Sequence, residues 1–389
     1  MTGFAQIVAV SYPKKLEMKK EKLLRRVTMT KATMICDLQF GSTGKGLIAG
    51  YLAEKLQPDA VVTAWMPNAG HTYISASGRK WIHTMLANGI VSKNLKKIFI
   101  GPGSMINVDN LIKEIGESWD LVKNAEIFIH PHAGVVSKEN KENEKMMESI
   151  GSTQKGCGQA IVSKIRRDPE NPAVAKNILS GTELGKYICT VEEYNEAMDS
   201  CEHLLIEGAQ GFSLSIHHGF YPYVTSRDVT PAQILADCAV PYTYLTKVVG
   251  CMRIHPIRVA NRYDNKGEMI GYSGPTYRDS NELTWREIGV EPELTTVTKL
   301  ERRVFSISYE QLAQAFRMCS PHELFVNFAN YIEDPNELSE ILFKINATTR
   351  HSGNNTDLRY IGMGATMDDV IDNHHESLKP YFGGNYQKV

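Results

Sequence analysis

The stretch that decides the fold is TMICDL (Thr33–Leu38), then QFGSTGKG (Gln39–Gly46), then LIAGYLAEKL (Leu47–Leu56). Its first part is a short apolar run with the length of a buried strand, and its last part has a helical pattern. The segment between them is rich in glycine, as expected of a turn between two regular elements. A strand, a glycine turn and a helix in this order predict one unit of an α/β fold.

The same pattern recurs along the chain. Apolar runs at Lys97–Ile100 and His203–Ile206 also end in glycine turns, and helical patterns lie at Asp109–Glu117, Thr190–Asp199, Pro231–Ala236, Tyr309–Phe316 and Asn336–Lys344. This alternation predicts a mostly parallel central sheet surrounded by helices, with ligands at the carboxyl ends of the strands. Without an internal repeat or linker, residues 31–389 are predicted to form one catalytic domain. Residues 1–30 are interpreted as a flexible N-terminal extension, with Met29 as an alternative start.

Composition bounds the function. The chain has 389 residues, of which 42% are hydrophobic and 22% charged, and its net charge is -1. This balance argues against non-specific electrostatic binding to nucleic acid or to an anionic membrane. No apolar run has the length of a membrane span. The seven cysteines are scattered and odd in number, which argues against disulfides and structural zinc and favours a reducing cytoplasm.

The glycine and lysine loop Gly41–Gly46 is a candidate phosphate site. Glycines let backbone N–H groups approach phosphate oxygens, the following helix N-terminus favours anions, and Lys45 supplies positive charge. The loop is not a standard P-loop, because Gln39 stands where that motif has glycine and Gly46 where it has serine or threonine. A plain turn with a solvated lysine stays open as the alternative.

Three further motifs carry groups suited to a nucleotide site. PNAGHT (Pro67–Thr72) contains an amide and an imidazole, EGAQG (Glu207–Gly211) follows a predicted strand, and YPYVTS (Tyr221–Ser226) is an aromatic run that ends in hydroxyls. Each motif alone has a structural explanation. Their combination and order point to a functional site.

Together with IGSTQKGCGQA at 150–160, these motifs resemble the adenylosuccinate synthetase family from about Thr33 to about Ile371. The resemblance implies a ligase that joins L-aspartate to a purine nucleotide. In this chemistry a nucleoside triphosphate first phosphorylates the purine 6-oxygen, and the aspartate amine then displaces phosphate. Such a reaction depends on positioning, Mg²⁺, a lysine and a hydrogen-bond donor at the developing charge.

The resemblance also implies site residues. The catalytic residues are Ser42, Lys45 and His71, and the metal ligands are Ser42 and the Gly70 backbone. The purine nucleotide is bound by Ser42, Asn68, Thr153, Arg167, Gln210 and Thr225. The triphosphate is bound by Gly41, Thr43, Gly44, Lys45, Gly46, Thr72, Asn327, Asn330 and Gly364, and aspartate by Thr296, Thr298, Arg302 and Arg303. Arg167 matches an arginine that reaches across a dimer interface, so a homodimer is expected. The paired N–H groups of a guanidinium match the geometry of a carboxylate, which independently supports Arg302 and Arg303 as aspartate ligands.

The main departure from the family is Ser42, which stands where the family has an aspartate that acts as general base and metal ligand. With the other motifs retained, a changed substrate is favoured over lost activity. Serine leaves room for a 2-amino group beside N1 of the purine, and the chain resembles the phage branch of the family, the 2-aminoadenylosuccinate synthetases, which use dGMP. Asp37 is a candidate for the missing carboxylate; a structural turn aspartate is an equal alternative.

A second departure concerns the energy donor. The family reads guanine of GTP with the aspartate of an L-T-K-L-D segment, and here the segment is FVNFAN (Phe325–Asn330). The ungapped match puts Ala329 at the aspartate, and a one-residue slip puts Asn330 there. Since asparagine pairs well with adenine, ATP or dATP is the predicted donor. The family has an arginine near aspartate and ribose at the position of Leu300. How the aspartate loop binds its ligand, and whether the site selects deoxyribose, therefore stay open.

The prediction is therefore a ligase that condenses dGMP with L-aspartate, driven by ATP or dATP. Its product would be N6-succino-2-amino-2'-deoxyadenylate, a precursor of 2-aminoadenine DNA, made in the host cytoplasm if the chain is phage-encoded. Two alternatives remain: an ordinary adenylosuccinate synthetase that uses IMP and GTP, and a catalytically silent nucleotide-binding homologue.

Overall fold

The computed structural model describes residues 29–144, 149–150, 153–295 and 299–374. The predicted N-terminal extension, apart from Met29 and Thr30, lies outside the described residues, as do Thr296 and Thr298. The division into an extension and one catalytic domain stays a prediction. Among the described residues, no helix is both long enough and apolar enough to cross a membrane.

The strands are numbered in chain order. They are β1 Lys31–Asp37, β2 Ala60–Thr63, β3 His71–Ile74, β4 Lys80–His83, β5 Lys97–Ile100, β6 Met105–Ile106, β7 Glu126–Ile129, β8 Gly134–Val135, β9 His203–Glu207, β10 Leu245–Arg253, β11 Ile257–Arg258, β12 Arg262–Tyr263, β13 Met269–Gly271, β14 Glu282–Leu283, β15 Arg303–Phe305, β16 Glu323–Asn327, β17 Asp357–Gly362 and β18 Val370–Asp372. The three predicted strands are confirmed as β1, β5 and β9.

The helices are numbered in the same way. They are α1 Lys45–Leu56, α2 Val108–Glu117, α3 Trp119–Val122, α4 Lys138–Glu144, α5 Cys157–Arg166, α6 Ala175–Ile178, α7 Val191–Asp199, α8 Pro231–Cys238, α9 Trp285–Ile288, α10 Tyr309–Cys319 and α11 Pro335–His351. All the predicted helices are confirmed, and most extend by one to several residues beyond the predicted ends.

One large sheet organises the described part of the chain. Its order is β18-β17-β16-β10-β1-β9-β2-β5-β7. The pairs within it are parallel except β17 with β18, which is antiparallel. The predicted α/β class with a mostly parallel central sheet and flanking helices is confirmed.

Apolar layers cover both faces of the sheet. In β1, Met34 and Cys36 face a layer that includes residues of α7, α8, α10 and α11. Ile35, between them in sequence, faces the opposite layer, which includes residues of α1 and α2. Burial on both faces explains why β1 is a continuous apolar run with no alternation of polar residues.

The strand order changes direction at β1. The chain passes from β1 to β2 on one side of the sheet, and later crosses from β9 to β10 on the other side. Asp37, Glu207 and Arg253 therefore end three adjacent strands at the same edge. Ligand sites in open α/β sheets lie at such a switch point.

Helix α1 packs unusually closely on β3. A Cβ atom added to Gly46 would lie 2.6 Å from the Thr72 carbonyl oxygen, and one added to Gly50 would lie 2.2 Å from the Tyr73 ring. These approaches explain why Gly46 replaces the serine or threonine of a standard P-loop. They bring β3, which begins at His71, against the helix that begins at Lys45.

Candidate active site

The loop after β1 is built around the Asp37 carboxylate. Its Oδ1 accepts hydrogen bonds from the backbone N–H groups of Gln39 (2.9 Å) and Gly41 (3.2 Å). Its Oδ2 accepts from the Thr43 hydroxyl (2.5 Å) and from Lys45 Nζ (2.8 Å). Four donors use the roughly four lone-pair positions of a carboxylate. Asp37 is buried and holds the loop, so this arrangement supports the structural alternative over a substrate base.

Lys45 also joins the loop to the EGAQG motif. Its Nζ donates to the Gln210 carbonyl oxygen at 2.8 Å, in addition to its bond with Asp37. The Gln210 side chain in turn donates to Asn68 Oδ1 at 3.0 Å. Three predicted site residues, separated by up to 165 positions in the chain, are thus brought together.

Ser42 and Gln210 both have left-handed backbone conformations, with φ angles of 55° and 61°. Non-glycine residues adopt this region at a cost of about 1–3 kcal/mol, and they cluster at functional sites. Ser42 is exposed at the tip of the loop. The serine that replaces the family's aspartate is therefore accessible to a ligand above the strand ends.

His71 forms a buried pair with Glu207. The Nδ1 atom lies 2.8 Å from Glu207 Oε1, and the Asn88 backbone N–H donates to Glu207 Oε2 at 2.8 Å. Burial lowers the pKa of His71 below its ordinary value of 6.5, while the hydrogen bond and charge of Glu207 oppose this shift. A neutral imidazole that donates from Nδ1 to a carboxylate keeps its Nε2 lone pair for a ligand.

The remaining purine-site candidates lie around α5 and the YPYVTS motif. Thr153 is exposed before α5, and Arg167 is exposed directly after it. A Cβ atom added to Gly158 would lie 3.8 Å from Ser226 Cβ, so the start of α5 lies against the end of YPYVTS. Thr225, the residue before Ser226, is half-buried.

The donor segment follows β16. Asn327 is buried; its Nδ2 donates to the Thr43 carbonyl oxygen (3.2 Å) and its Oδ1 accepts from the Phe328 N–H (2.8 Å). The amide lies between Gly44 and Gly362, where added Cβ atoms would each come within 2.1 Å of it. The amide therefore supports the loop Gly41–Gly46 on its buried side. Ala329 is buried and Asn330 is exposed, which favours the register that puts Asn330 at the base-reading position.

Among the other predicted triphosphate residues, Thr72 on β3 is exposed, and Gly364 follows β17. Gly70, a predicted metal ligand, is exposed immediately before β3. Of these residues, Thr72 lies against Gly46 at the start of α1.

The two arginines of the aspartate loop differ in their surroundings. Arg303 donates to both carboxylate oxygens of Glu282 (2.7 and 2.6 Å) and to the Gly274 carbonyl oxygen (2.6 Å). Arg302 is half-buried, and burial lowers the pKa of its guanidinium, with Arg253 lowering it further and Glu293 opposing the shift. The geometry therefore favours Arg302 over Arg303 as the group that meets a carboxylate ligand.

The sequence did not single out Glu207, Arg253, Glu293 or Phe328 as site residues. Arg253 ends β10 with its side chain fully buried, and Glu293 contacts it. A charged residue at the end of an apolar strand was the available signal for both Glu207 and Arg253. Glu293 and Phe328 lie in irregular segments, for which no periodic pattern exists.

Comparison with known proteins identifies the family. The sequence profile of the adenylosuccinate synthetases matches residues 34–171 and 170–340. The chain belongs to the adenylosuccinate synthetase family. It is 52% identical, over 361 residues that cover 86% of this chain and 92% of the relative, to the N6-succino-2-amino-2'-deoxyadenylate synthase of Acinetobacter phage SH-Ab 15497.

A solved structure of this synthetase family agrees with the fold. The succinoaminodeoxyadenylate synthetase of cyanophage S-2L, bound to dGMP and dATP as an energy donor, superposes with a TM-score of 0.81 at 38% identity. The match covers 88% of this chain and 95% of the cyanophage chain. The adenylosuccinate synthetase of Methanocaldococcus jannaschii is more distant, at 30% identity over 76% of this chain and 81% of the relative.

Proposed function

We propose that the protein condenses dGMP with L-aspartate at the expense of ATP or dATP and forms N6-succino-2-amino-2'-deoxyadenylate. The 6-oxygen of dGMP attacks the γ-phosphorus, the nucleoside diphosphate leaves, and the aspartate amine then displaces phosphate from C6. The names of the phage relatives and the dGMP in the cyanophage structure support this substrate. The observation that carries the proposal is Ser42, a small exposed residue in the same loop as Lys45, whose ammonium donates to the Gln210 carbonyl oxygen.

Ser42 accounts for the choice of purine. A serine at the loop tip leaves space for the exocyclic amine of guanine, and its hydroxyl can donate or accept a hydrogen bond. Asp37 cannot crowd this amine, because its four donors hold it behind the loop. Asn68, Thr153, Gln210 and Thr225 are proposed to hold the rest of the nucleotide.

His71 is proposed to take over the proton transfer that the family's aspartate performs. The N1 proton of guanine must leave as the 6-oxygen is phosphorylated. Neutral His71, with Nδ1 bonded to Glu207, presents Nε2 as the acceptor. The imidazolium that results is stabilised by the Glu207 carboxylate and can donate to the charge that develops on the 6-oxygen.

The donor triphosphate is proposed to lie on the loop Gly41–Gly46, with Lys45, Thr72 and Gly364 around its phosphates. Lys45 would exchange part of its contact with Asp37 for phosphate oxygens, since one ammonium has three donors. Asn330 is proposed to read adenine, and Asn327 to support the loop. The dATP in the cyanophage structure supports an adenine donor.

Mg²⁺ dependence is general in the family. The described residues contain no group of three or more histidine, cysteine, aspartate or glutamate side chains able to hold a metal ion. The site therefore fits an ion held mainly by substrate phosphates, which is the usual binding mode of Mg²⁺. The exposed Ser42 hydroxyl and the Gly70 carbonyl would hold it, and the ion would neutralise phosphate charge.

L-aspartate is proposed to bind at the loop that ends with Arg302. Arg302 would meet a carboxylate of aspartate, and Thr296 and Thr298 would contribute hydroxyls. Arg303 keeps its pair with Glu282 and supports the loop.

A homodimer is proposed, with Arg167 reaching the partner's nucleotide. Helix α5 supports this proposal because Val162 and Ile165 are 42% and 66% exposed on the helix that Arg167 follows. Exposed apolar residues on one helix are typical of a surface covered by a partner.

Product analysis tests the proposed function. Purified protein is incubated with L-aspartate and Mg²⁺, in a matrix of dGMP or IMP with ATP, dATP or GTP, and products are identified by mass spectrometry. We expect a succinylated 2-aminopurine deoxynucleotide from dGMP with ATP or dATP. Turnover of IMP with GTP alone would establish an ordinary adenylosuccinate synthetase, and nucleotide binding without phosphate release would establish a silent homologue.

A further inference from the structure

Arg253 is a buried charge at the centre of the candidate site. Its side chain is 0% exposed, and its two terminal nitrogens both donate to the Glu293 carboxylate. Its backbone is clamped as well: the Arg253 N–H donates to Gln39 Oε1 at 2.9 Å, and Gln39 Nε2 donates to the Arg253 carbonyl oxygen at 3.1 Å. Removing a charge from water is expensive and adds little stability compared with apolar packing. The Arg253 side chain is fully buried while its partner Glu293 is 27% exposed, so a buried guanidinium at a strand end in the site calls for another explanation.

The guanidinium also contacts two residues with strained backbones. One terminal nitrogen donates to the Ser42 carbonyl oxygen at 3.1 Å, and the guanidinium carbon lies 3.9 Å from the centre of the Phe328 ring. Both residues are left-handed, with φ angles of 55° and 57°. Such conformations persist only where surrounding contacts enforce them. Arg253 supplies one of these contacts to each residue.

Glu293 connects the same guanidinium to the aspartate loop. The Arg302 N–H donates to the Glu293 carbonyl oxygen at 2.8 Å, and the Thr295 N–H donates to the Leu300 carbonyl oxygen at 2.8 Å, so Glu293 lies at the base of this loop. Glu293 Oε1 also accepts from the Tyr331 hydroxyl at 3.3 Å. Tyr331 follows Asn330, so the carboxylate contacts the donor segment too.

We propose that Arg253 is a positioning residue that couples the donor segment to the aspartate loop, through its contacts with Phe328, Ser42 and Glu293. The inference rests on the proposed function, which assigns these three segments to three different substrates. Occupation of one segment fixes the guanidinium. The fixed guanidinium then holds Ser42 and Phe328, and through Glu293 it holds the described base of the aspartate loop. The half-buried Phe328 ring, with Arg253 on one face, is a surface on which an adenine can stack.

The coupling is measured by equilibrium binding. A fluorescent, non-hydrolysable dATP analogue is titrated into the protein with dGMP and Mg²⁺, with and without saturating L-aspartate. For the wild type we expect L-aspartate to tighten analogue binding by about tenfold. In Arg253→Met and in Glu293→Gln the ratio should fall to near unity. Arg253→Lys keeps the positive charge but loses the paired terminal nitrogens that bind Glu293, and should behave like Arg253→Met.

Steady-state kinetics gives an independent measurement. Arg253→Met should raise KM for both L-aspartate and the donor by about 10-fold or more, because both loops lose their positions. The double variant Arg253→Met with Glu293→Gln should resemble each single variant, since the two side chains act as one unit. Arg359→Met is the matched control: Arg359 forms an ion pair with Asp372 at the β17–β18 edge, remote from the strand ends of the site.

Several outcomes would overturn the inference. If Arg253→Met lowers the melting temperature as Arg359→Met does, with both KM values and the binding ratio unchanged, the pair is structural only. If the donor KM alone changes, the segments are not coupled. Failure of the wild type to form product would overturn the proposed function instead, and product formation without any coupling would overturn this inference alone.

Discussion

At the scale of single residues, Ser42 is proposed to govern which purine the protein accepts. Ser42→Asp restores the family's carboxylate at an exposed loop tip and should crowd the 2-amino group of guanine. We expect kcat/KM for dGMP to fall by about 10-fold to 100-fold relative to that for IMP. Competition assays with both nucleotides measure this ratio. Ser42→Ala keeps the space and should leave the ratio unchanged; equal losses on both purines in Ser42→Asp would show that position 42 does not read the amine.

Asn330, one residue after the ungapped match at Ala329, is predicted to bind the base of the triphosphate donor. Asn330→Asp replaces an amide that suits adenine with a carboxylate that suits guanine N1–H and its 2-amino group. We expect the GTP-to-ATP ratio of kcat/KM to rise by about 10-fold to 100-fold. Asn330→Ala is the control, and should weaken ATP use without improving GTP use. A donor preference unaffected by either change would place base recognition elsewhere.

Glu207 is predicted to control the protonation of His71. Glu207→Gln removes the charge that stabilises an imidazolium and no longer fixes the tautomer, while the side chain keeps its size. We expect kcat to fall by on the order of 10²-fold to 10⁴-fold, as for the equivalent change in a catalytic triad. Single-turnover measurement of phosphoryl transfer separates this effect from binding. Wild-type rates in that step would show that the pair is not part of the chemistry.

At the scale of elements, α1 and β3 form one rigid support. Gly50→Ala would bring a methyl group against the Tyr73 ring, which lies two residues from His71. We expect the free energy of unfolding to fall by about 1–3 kcal/mol and kcat to fall as β3 shifts. Gly116→Ala in α2 is the matched control, because nothing lies within 4 Å of its added Cβ atom; it should be neutral or stabilising by up to about 1 kcal/mol. Denaturant titration distinguishes the two variants.

The elements also show what the sequence could predict. Apolar runs and glycine turns predicted β1, β5 and β9, and helical patterns predicted α1, α2, α7, α8, α10 and α11, because local periodicity reflects which face is buried. The same pattern could not predict that β10 would lie beside β1, since strand order depends on packing between distant segments.

The site also combines residues that the sequence predicts with contacts that only the structure shows. Motifs predicted Lys45, His71 and Gln210 as site residues, and the structure joins Lys45 to Gln210 by a hydrogen bond. The pairing of His71 with Glu207, and of Arg253 with Glu293, is a contact across the fold that no local pattern encodes. The sequence leaves two alternatives for Asp37, and its four hydrogen-bond donors favour a structural role.

At the scale of the whole molecule, the proposed dimer predicts complementation. Arg167→Ala and Lys45→Ala should each be nearly inactive alone. When subunits exchange, a mixed dimer has one site with both wild-type residues, so an equal mixture should recover about one quarter of wild-type activity. Mixing Lys45→Ala with His71→Ala should recover nothing, because both residues belong to the same subunit's site. No recovery in the first mixture, with exchange verified, would contradict a shared site.

Buried histidines predict loss of stability in acid. Burial lowers the pKa of His130 and of His255 from 6.5 to about 4. Between these values the unfolded chain binds more protons than the folded one, so the free energy of unfolding falls as the pH falls from 6.5 to 4. His130→Gln should reduce this slope, and the exposed His351→Gln should not. Denaturant titrations over this pH range measure the slope, and an unchanged slope in His130→Gln would exclude its contribution.

The hydrogen bond from Asn327 to the Thr43 carbonyl spans 284 positions of the chain. During translation, the loop Gly41–Gly46 is synthesised early, but the Asn327 amide that supports it is added on the order of tens of seconds later. A nascent or truncated polypeptide that stops before Asn327 therefore contains the loop Gly41–Gly46 without the amide that supports it. We therefore expect a chain truncated before Asn327 to bind triphosphate more weakly than the full chain does.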